Sequence, residues 1–285
     1  MSLSSDNRWV AHRGQITPLA SCLIPVNDLA IMRGYGMFDY FRTYNGHPFH
    51  MPDHLNRFEH SAAQLGLSTT MPREELQATI EQLLKAQPLR DAGIRLLLTG
   101  GYSADSMTSE SPNLFVLSEP LPVFNSQQFA EGVHLMLSAF DRELPQVKTI
   151  NYLQSIRLLP ERKKNNQYEV LYHGKSGVTE ASRSNFFLVK NGTVRTTGEN
   201  VLLGITRKVV LGLAGKLGIP VVQERVEVDA LYDADEAFLT GTNTKVMPVV
   251  KVGEQTIGNG QPGEVTRALM DAFNAYTEQW GTIRP

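Results

Sequence analysis

The chain has 285 residues, 41% of them hydrophobic and 20% charged, which is ordinary usage for a globular protein of one or two domains. Its formal net charge is −2, from 27 basic and 29 acidic residues without a long run of either sign, so we do not expect a nucleic-acid or anionic-membrane partner. The single cysteine excludes an internal disulfide and a cysteine-based zinc site, and the histidines show no metal-binding spacing.

The first nine residues are polar and lack the apolar core of a signal peptide. No apolar run approaches the roughly 18 residues that a membrane helix needs. We therefore expect a soluble protein of the cytoplasm.

The first 118 residues mix strand and helix patterns. A run rich in aromatic and β-forming residues ends at Asn45-Gly46, which is a strong hairpin signal. Apolar residues at helical spacing follow it. In chain order the predicted elements are a strand over 38–44, its return strand over 47–51, helices over 52–67 and 73–86, and strands over 93–99 and 113–117.

Residues 119–128 contain two prolines, an asparagine and a serine, a composition typical of a linker. They divide the chain into a domain over 1–118 and a domain over 129–285, and the second domain carries Lys148.

The second part alternates again between strands and helices. Thr206 is a suitable N-cap for a helix over 206–217, and Gly218 suits the left-handed residue that follows it. Strands and helices lie side by side without steady βαβ alternation, which favours an α+β fold. The other predicted elements are strands over 168–172, 220–225, 236–240 and 246–252, two strands within 185–194 joined at Asn191-Gly192, and a helix over 264–280.

Lys148 is the first candidate for chemistry, because no other charge lies between Val147 and Ser155. Apolar surroundings disfavour the ammonium form, and a neutral amine can form a Schiff base with an aldehyde. The ordinary alternative is a lysine that faces solvent.

Other residues offer groups that suit a phosphorylated pyridine cofactor. A carboxylate such as Glu180 keeps a pyridine nitrogen protonated, although a surface pair with Arg183 is the alternative. Backbone N–H groups where 204–207 opens a helix, and donors in the turn over 240–244, suit phosphate, although a capped helix and a polar turn explain them equally.

Two arginines are further candidates. Arg57, on a predicted helix, has a fork that suits phosphate. Arg95 interrupts an apolar strand, where a charge is costly unless it is paired. It therefore suits a substrate carboxylate, unless the strand is an edge or alternating strand.

Taken in order, these blocks resemble the class IV aminotransferases, which are pyridoxal-phosphate enzymes. The resemblance runs from about Val26 to Phe273. The blocks are RGYGMFD at 33–39, HLNR at 54–57, KTINYL at 148–153, TEASRSNFF at 179–187, GITR at 204–207, ADEAFLTGT at 234–242 and PV at 248–249.

The resemblance implies a role for each matching residue. Lys148 forms the Schiff base and moves the substrate Cα proton, and Glu180 pairs with the pyridine nitrogen of pyridoxal 5′-phosphate. The remaining cofactor contacts are Arg57, Tyr152, Ile205, Thr206 and Thr242, and the substrate contacts are Arg33, Phe38, Arg95 and Gly241.

The resemblance also implies two α+β domains, a homodimer, and ping-pong transfer of an amino group between an amino acid and a 2-oxo acid such as 2-oxoglutarate. Where the best-known D-amino-acid type has an arginine and a histidine, this chain has Gly100 to Tyr102. The chain is instead similar to a variant D-type, in which two arginines hold the α-carboxylate, one of them from the neighbouring subunit. Arg33 and Arg95 match these two.

Three other functions stay open. Arg95 and Tyr152 also match branched-chain L-amino-acid aminotransferases, but Arg33 stands where that type more often has tyrosine. An aminodeoxychorismate lyase has a catalytic threonine where this chain has Tyr40. A non-catalytic pyridoxal-phosphate-binding protein on the same scaffold is the last alternative.

Overall fold

The structure is a computed structural model that describes residues 8–282. The expectation about the first nine residues therefore falls mostly outside the described residues. The described chain forms two compact units: the first unit comprises 8–122, 147–151 and 279–282, and the second unit comprises 123–146 and 152–278. Over this range no helix has both the length and the apolar character to cross a membrane.

The first unit is built on one sheet, which has six strands within the described residues and the order β2-β1-β6-β5-β3-β4. Every pairing in it is antiparallel. Its elements are β1 (Trp9–His12), β2 (Gln15–Pro18), a 3₁₀ turn (Leu19–Ser21), α1 (Leu29–Arg33), β3 (Gly36–Tyr44), β4 (His47–Pro48), α2 (Met51–Gln64), α3 (Arg73–Ala86), β5 (Gly93–Tyr102) and β6 (Ser111–Glu119).

The predicted hairpin is confirmed. Asn45 and Gly46 both have positive φ angles, of 53° and 78°, as a two-residue turn between twisted strands requires. The return strand ends at Pro48, earlier than predicted, because Met51 already begins α2 with a proline in its first turn. Helix α3 has the predicted bounds.

The two faces of this sheet differ. Phe41 of β3 is fully buried in one apolar cluster with Phe58 of α2, and burying such a side chain contributes roughly 1.5–3 kcal/mol. Because successive side chains of a strand point to opposite faces, Phe38 and Tyr40 lie on the other face, where they are half-buried. Arg95 of β5 is directly opposite Tyr40 in the register.

The segment that contains Lys148 belongs to the first unit. Thr149 forms a bridge with Met37, and the N–H of Ile150 donates to the carbonyl of Gly36 at 3.2 Å. The sequence analysis assigned this segment to the domain over 129–285, whereas its backbone pairs with β3. The first unit's main segment ends at residue 122, within the predicted linker over 119–128, whose first residue, Glu119, is still part of β6.

The second unit contains a mixed sheet of nine strands within the described residues, and some of these strands form a ring. The order is β12-β11-β10-β13-β14-β7-β8-β9, with β15 against β14. Because β9 also pairs with β10, at Glu180 and Asn185, the strands from β10 to β9 close on themselves. The strands are β7 (Val133–Ala139), β8 (Glu169–Gly174), β9 (Gly177–Ala181), β10 (Asn185–Lys190), β11 (Thr193–Thr196), β12 (Val221–Gln223), β13 (Glu236–Gly241), β14 (Lys245–Val252) and β15 (Gln255–Thr256).

Several helices pack against strands of this sheet, and the predicted α+β class is confirmed. Helix α7 begins one residue earlier than predicted, and Thr206 is not its N-cap: Gly204 is, with an extended backbone (φ −66°, ψ 140°). Gly218 adopts the predicted left-handed conformation. The helices are α4 (Ser126–Glu131), α5 (Leu153–Arg157), α6 (Leu159–Lys164), α7 (Ile205–Lys216), α8 (Ala230–Asp233) and α9 (Glu264–Glu278).

Candidate active site

Lys148 lies against the half-buried face of β3 in the first unit. Its carbonyl accepts the N–H of Phe38 at 2.9 Å, which fixes the backbone of the lysine to the strand. Its Nζ lies 4.7 Å from the centre of the Phe38 ring. The side chain is half-buried, so Lys148 is not the solvent-facing lysine of the ordinary alternative.

Arg95 lies over the same aromatic ring. Its Cζ is 5.2 Å from the centre of the Phe38 ring and 5.0 Å from that of Tyr40. Three residues that the sequence analysis named separately, Lys148, Phe38 and Arg95, therefore share one face of the first unit's sheet. An amine and a guanidinium on one aromatic ring can bind the amino and carboxylate ends of a small molecule.

Arg95 has a protein partner that the sequence analysis missed. Its Nη2 donates to Glu119 Oε1 at 2.6 Å, across β5 and β6. The strand around Arg95 alternates between buried and half-buried residues, so its charge lies on the half-buried face and is paired. No short-range pattern indicates this pair, since it depends on the register of two strands.

Arg57 forms a buried ion pair in the first unit. Its Nε and Nη2 donate to the two carboxylate oxygens of Asp39 at 2.8 and 2.9 Å, and His54 Nδ1 lies 2.7 Å from the same carboxylate. Arg57, which the sequence predicts as a phosphate ligand, therefore already donates hydrogen bonds to a protein carboxylate from two of its three guanidinium nitrogens. Asp39 could have been suspected from its inward position between Met37 and Phe41.

Burial and charge set the pKa values in this cluster. Burial alone would raise the pKa of Asp39, but the charge of Arg57 and the hydrogen bonds of Arg57 and His54 outweigh it, so that this pKa lies well below its usual value. Burial lowers the pKa of His54, against the opposing effect of Asp39. The cluster therefore favours an ionised Asp39 and a neutral His54 near pH 7.

Arg33 lies apart from these residues. It is exposed at the C-terminal end of α1, and its side chain donates from Nη1 to the carbonyl of Met32 at 2.9 Å.

Glu180 is buried in the second unit, where Arg142, Leu202 and Asn185 bind its carboxylate. Arg142 Nη1 lies 2.5 Å from Oε1. Oε2 accepts the N–H of Leu202 at 3.0 Å and Nδ2 of Asn185 at 3.4 Å. The alternative of a surface pair between Glu180 and Arg183 is therefore wrong. Arg142 was missed, because it lies 38 residues away in the sequence.

Tyr152 shares the electrostatic environment of this carboxylate. Burial raises its pKa, and the charges of Glu169 and Glu180 act in the same direction, opposed by Arg142. Tyr152 is therefore a neutral hydroxyl near pH 7, able to donate a hydrogen bond to an oxygen atom.

The N-terminus of α7 offers backbone N–H groups that suit an anion. Within the described residues no side chain caps it, and Ile205 and Thr206 are buried in its first turn. A Cβ at Gly204 would lie 2.2 Å from Asn185 Oδ1, so a larger residue there would have to displace the Asn185 side chain, whose Nδ2 donates to Glu180 and to the carbonyl of Leu202. Uncapped N–H groups at a helix start favour phosphate.

Strand β13, against which α7 packs, ends at Gly241 and leads into Thr242. A Cβ at Gly241 would contact Ser184 Oγ at 3.3 Å and Thr244 Oγ1 at 3.4 Å, so a larger residue would crowd two hydroxyl groups. Thr206, Gly241 and Thr242 thus belong to neighbouring elements of the second unit.

The described groups match the chemistry of pyridoxal phosphate. The second unit offers an uncapped helix N-terminus for a phosphate and a buried carboxylate for a pyridine nitrogen, and the first unit offers a half-buried amine for an aldehyde. The donor set thus fits this cofactor.

The sequence profile of the family described as amino-transferase class IV matches residues 36–252. The chain belongs to the class IV aminotransferases. It is thus a pyridoxal-phosphate-dependent enzyme, and the predicted family and enzyme class are confirmed.

Two similar proteins have different names. A candidate branched-chain-amino-acid aminotransferase of Methanocaldococcus jannaschii is 32% identical over 266 residues, 90% of this chain and 92% of that protein. A D-alanine aminotransferase of Staphylococcus haemolyticus is 30% identical over 264 residues, 90% of this chain and 93% of that protein.

Solved structures agree with the fold. The branched-chain aminotransferase of Escherichia coli superimposes with a TM-score of 0.87 at 26% identity, over 96% of this chain and 97% of that one. A T.th. branched-chain aminotransferase, solved with pyridoxamine 5′-phosphate, gives 0.88 at 26% identity, over 95% of this chain and 94% of that one.

Proposed function

We propose that this aminotransferase acts on D-amino acids, with a 2-oxo acid such as 2-oxoglutarate as the acceptor, and that Lys148 is its catalytic residue. The observation that carries the proposal is the pair of nitrogen groups on the Phe38 ring: the amine of Lys148 and the guanidinium of Arg95. The first suits an amino-group transfer and the second a carboxylate.

Pyridoxal phosphate, when bound, supplies an aldehyde that takes the amino group and a ring that delocalises carbanion charge. The protein's own groups bind and direct it. The N-terminus of α7 at Ile205 and Thr206, with Thr242 and Arg57, would hold the phosphate. Glu180 would keep a proton on the pyridine nitrogen.

The remaining groups act on the substrate side. The Lys148 amine carries the proton that leaves the substrate Cα. Arg95 binds the α-carboxylate, and Phe38 and Gly241 contact the substrate. Tyr152 would donate its hydroxyl hydrogen to the phenolic oxygen of the bound cofactor.

Arg33 supports the D-amino-acid preference. It is exposed on α1, so that its guanidinium is accessible to a neighbouring subunit. We propose a cytoplasmic homodimer in which Arg33 reaches the partner's substrate carboxylate. A second candidate, a branched-chain L-amino-acid aminotransferase, is favoured by the names of the structural neighbours.

One experiment separates these candidates. The holoenzyme is mixed with D-alanine or with L-leucine, without a 2-oxo acid, and the absorbance of the aldehyde form is followed. We expect D-alanine to bleach it. Bleaching by L-leucine alone would assign the branched-chain activity instead.

Replacing Lys148 by Ala should abolish transamination, because no other amine would carry the Cα proton. Borohydride reduction of the wild type followed by peptide mapping should place the cofactor on Lys148. The exposed lysine at the end of α6 gives a matched control, Lys164→Ala, which should keep full activity. Turnover near wild type in Lys148→Ala would refute the assignment.

A further inference from the structure

Three strands of the first unit bring their side chains together around Arg95. In the register of β3 and β5, Tyr40 lies directly opposite Arg95. In the register of β5 and β6, Glu119 lies opposite Gly93, two residues before Arg95. Residues two apart on a strand share a face, so all of these positions face the side on which Phe38 contacts Lys148.

Gly93 leaves a gap on this face, which the ring of Tyr40 fills. A Cβ at residue 93 would lie 2.1 Å from Tyr40 Oη and 2.7 Å from its Cζ. The tyrosine therefore leans across β5 and comes closer to the backbone than any side chain at 93 would allow. Its ring is fixed beside the guanidinium of Arg95, 5.0 Å from ring centre to Cζ.

Glu119 fixes one edge of the same guanidinium. Arg95 Nη2 donates to Glu119 at 2.6 Å, and this is the only hydrogen bond of the Arg95 side chain within residues 8–282. A guanidinium has five N–H donors. Whichever hydrogen of Nη2 is used, a pair of adjacent donors remains on another edge, in the geometry that a carboxylate binds with both oxygens.

We propose that Glu119 and Tyr40 are positioning residues that hold the Arg95 guanidinium ready for the substrate carboxylate. The inference rests on the proposed role of Arg95. A long, mobile side chain loses rotational freedom when it binds a ligand, and this loss weakens binding. A hydrogen bond on one edge and an aromatic ring beside the plane remove that freedom before the substrate arrives.

Charge alone predicts the opposite effect for Glu119. Its carboxylate lies beside Arg95 and repels a second carboxylate there. If Glu119 acted only through its charge, its removal would tighten substrate binding. If it positions Arg95, removing the hydrogen-bond acceptor weakens binding, and Glu119→Gln, which keeps an acceptor oxygen and loses the charge, does not.

The test is a single-turnover titration of the holoenzyme with whichever of D-alanine and L-leucine the wild type converts. The dependence of the rate on substrate concentration yields an apparent Kd and a maximal rate. We expect Glu119→Ala to raise the Kd about tenfold, the equivalent of about 1.4 kcal/mol, with the maximal rate within about twofold of wild type. Glu119→Gln should bind at least as tightly as wild type.

Tyr40 is tested in the same way. Tyr40→Phe keeps the ring over Gly93 and should match wild type, whereas Tyr40→Leu opens the gap and should raise the Kd as Glu119→Ala does. An exposed glutamate of α3 provides a control, Glu81→Ala, which should change neither value.

The proposal is overturned if the Glu119→Ala variant binds substrate as tightly as the wild type or more tightly. A fall in maximal rate, cofactor content and melting temperature together without a change in Kd also overturns it, since that is the signature of a merely structural role. Failure of the proposed function has a different result: the wild type itself would show no saturable conversion of either amino acid.

Discussion

Breaking the buried cluster of Asp39, Arg57 and His54 should strongly destabilise the first unit. Asp39 is fully buried and Arg57 is 10% exposed. Removing one partner of a buried pair leaves a charge uncompensated and typically costs about 3–5 kcal/mol. Because Arg57 keeps some contact with solvent, we expect Asp39→Asn to cost about 3 kcal/mol.

This cost corresponds to a fall in melting temperature of about 6–12 °C, at about 2–4 °C per kcal/mol for a protein of this size class. The chain has two tryptophans, and both Trp9 and Trp280 belong to the first unit. Tryptophan fluorescence of the holoenzyme during heating therefore reports on the unit that carries the mutation.

A matched control lies on α2, the helix that carries Arg57. Glu59 forms an ion pair with Arg73, and both side chains are about one-third exposed. Exposed pairs contribute about 1 kcal/mol or less, so Glu59→Gln should lower the melting temperature by less than about 4 °C. If Asp39→Asn shifted it no more than Glu59→Gln does, the energetic argument for the buried pair would be wrong.

The cluster also predicts a pH dependence. The pKa values of Asp39 and His54 are both lowered in the folded protein, so the unfolded chain binds protons more readily at both sites. The stability that these two groups contribute should therefore be fully present above about pH 6.5. It should fall first as His54 protonates in the unfolded chain below that pH, and again below about pH 4 because of Asp39. Asp39→Asn should remove the lower step, and an unchanged profile in the variant would contradict this assignment.

Two further predictions concern the second unit. Gly204→Ala should weaken the binding of pyridoxal phosphate to the apoenzyme by about tenfold or more, because the added methyl group would lie 2.2 Å from Asn185 Oδ1. The control is Gly212→Ala within α7, where the methyl group enters open space, and it should leave the affinity unchanged. Equal affinities in the two variants would argue against α7 as the phosphate site. Arg142→Met should lower the calorimetric melting temperature by several degrees, because it removes the arginine that pairs with the buried carboxylate of Glu180. The control, Arg183→Met, changes a side chain that is 59% exposed and should have little effect. Similar shifts in the two variants would mean that the Arg142 pair adds no stability.

Local chemistry made several elements predictable from sequence. The turn at Asn45-Gly46 is predictable because few residues other than asparagine and glycine adopt positive φ readily. Helix α3 is predictable because its buried residues, Leu76, Ile80 and Leu83, recur at helical spacing. The order of short motifs along the chain also identified the family, which the profile over 36–252 confirms.

Element boundaries were less predictable, because neighbouring elements compete for the same residues. The return strand after Gly46 stops at Pro48, since α2 begins at Met51. Thr206 has the chemistry of an N-cap, yet the extended backbone at Gly204 starts the helix earlier.

The sequence by itself determined the family, the local turns and helices, and most candidate residues of the site. Only the tertiary structure decided their partners, because each ion pair joins residues far apart: Arg57 and Asp39 are separated by 18 residues, Arg95 and Glu119 by 24, and Arg142 and Glu180 by 38. Strand register and helix packing bring these charges together, and no short-range pattern encodes either. For the same reason the segment around Lys148 belongs to the first unit: its backbone pairs with β3, more than a hundred residues earlier in the chain.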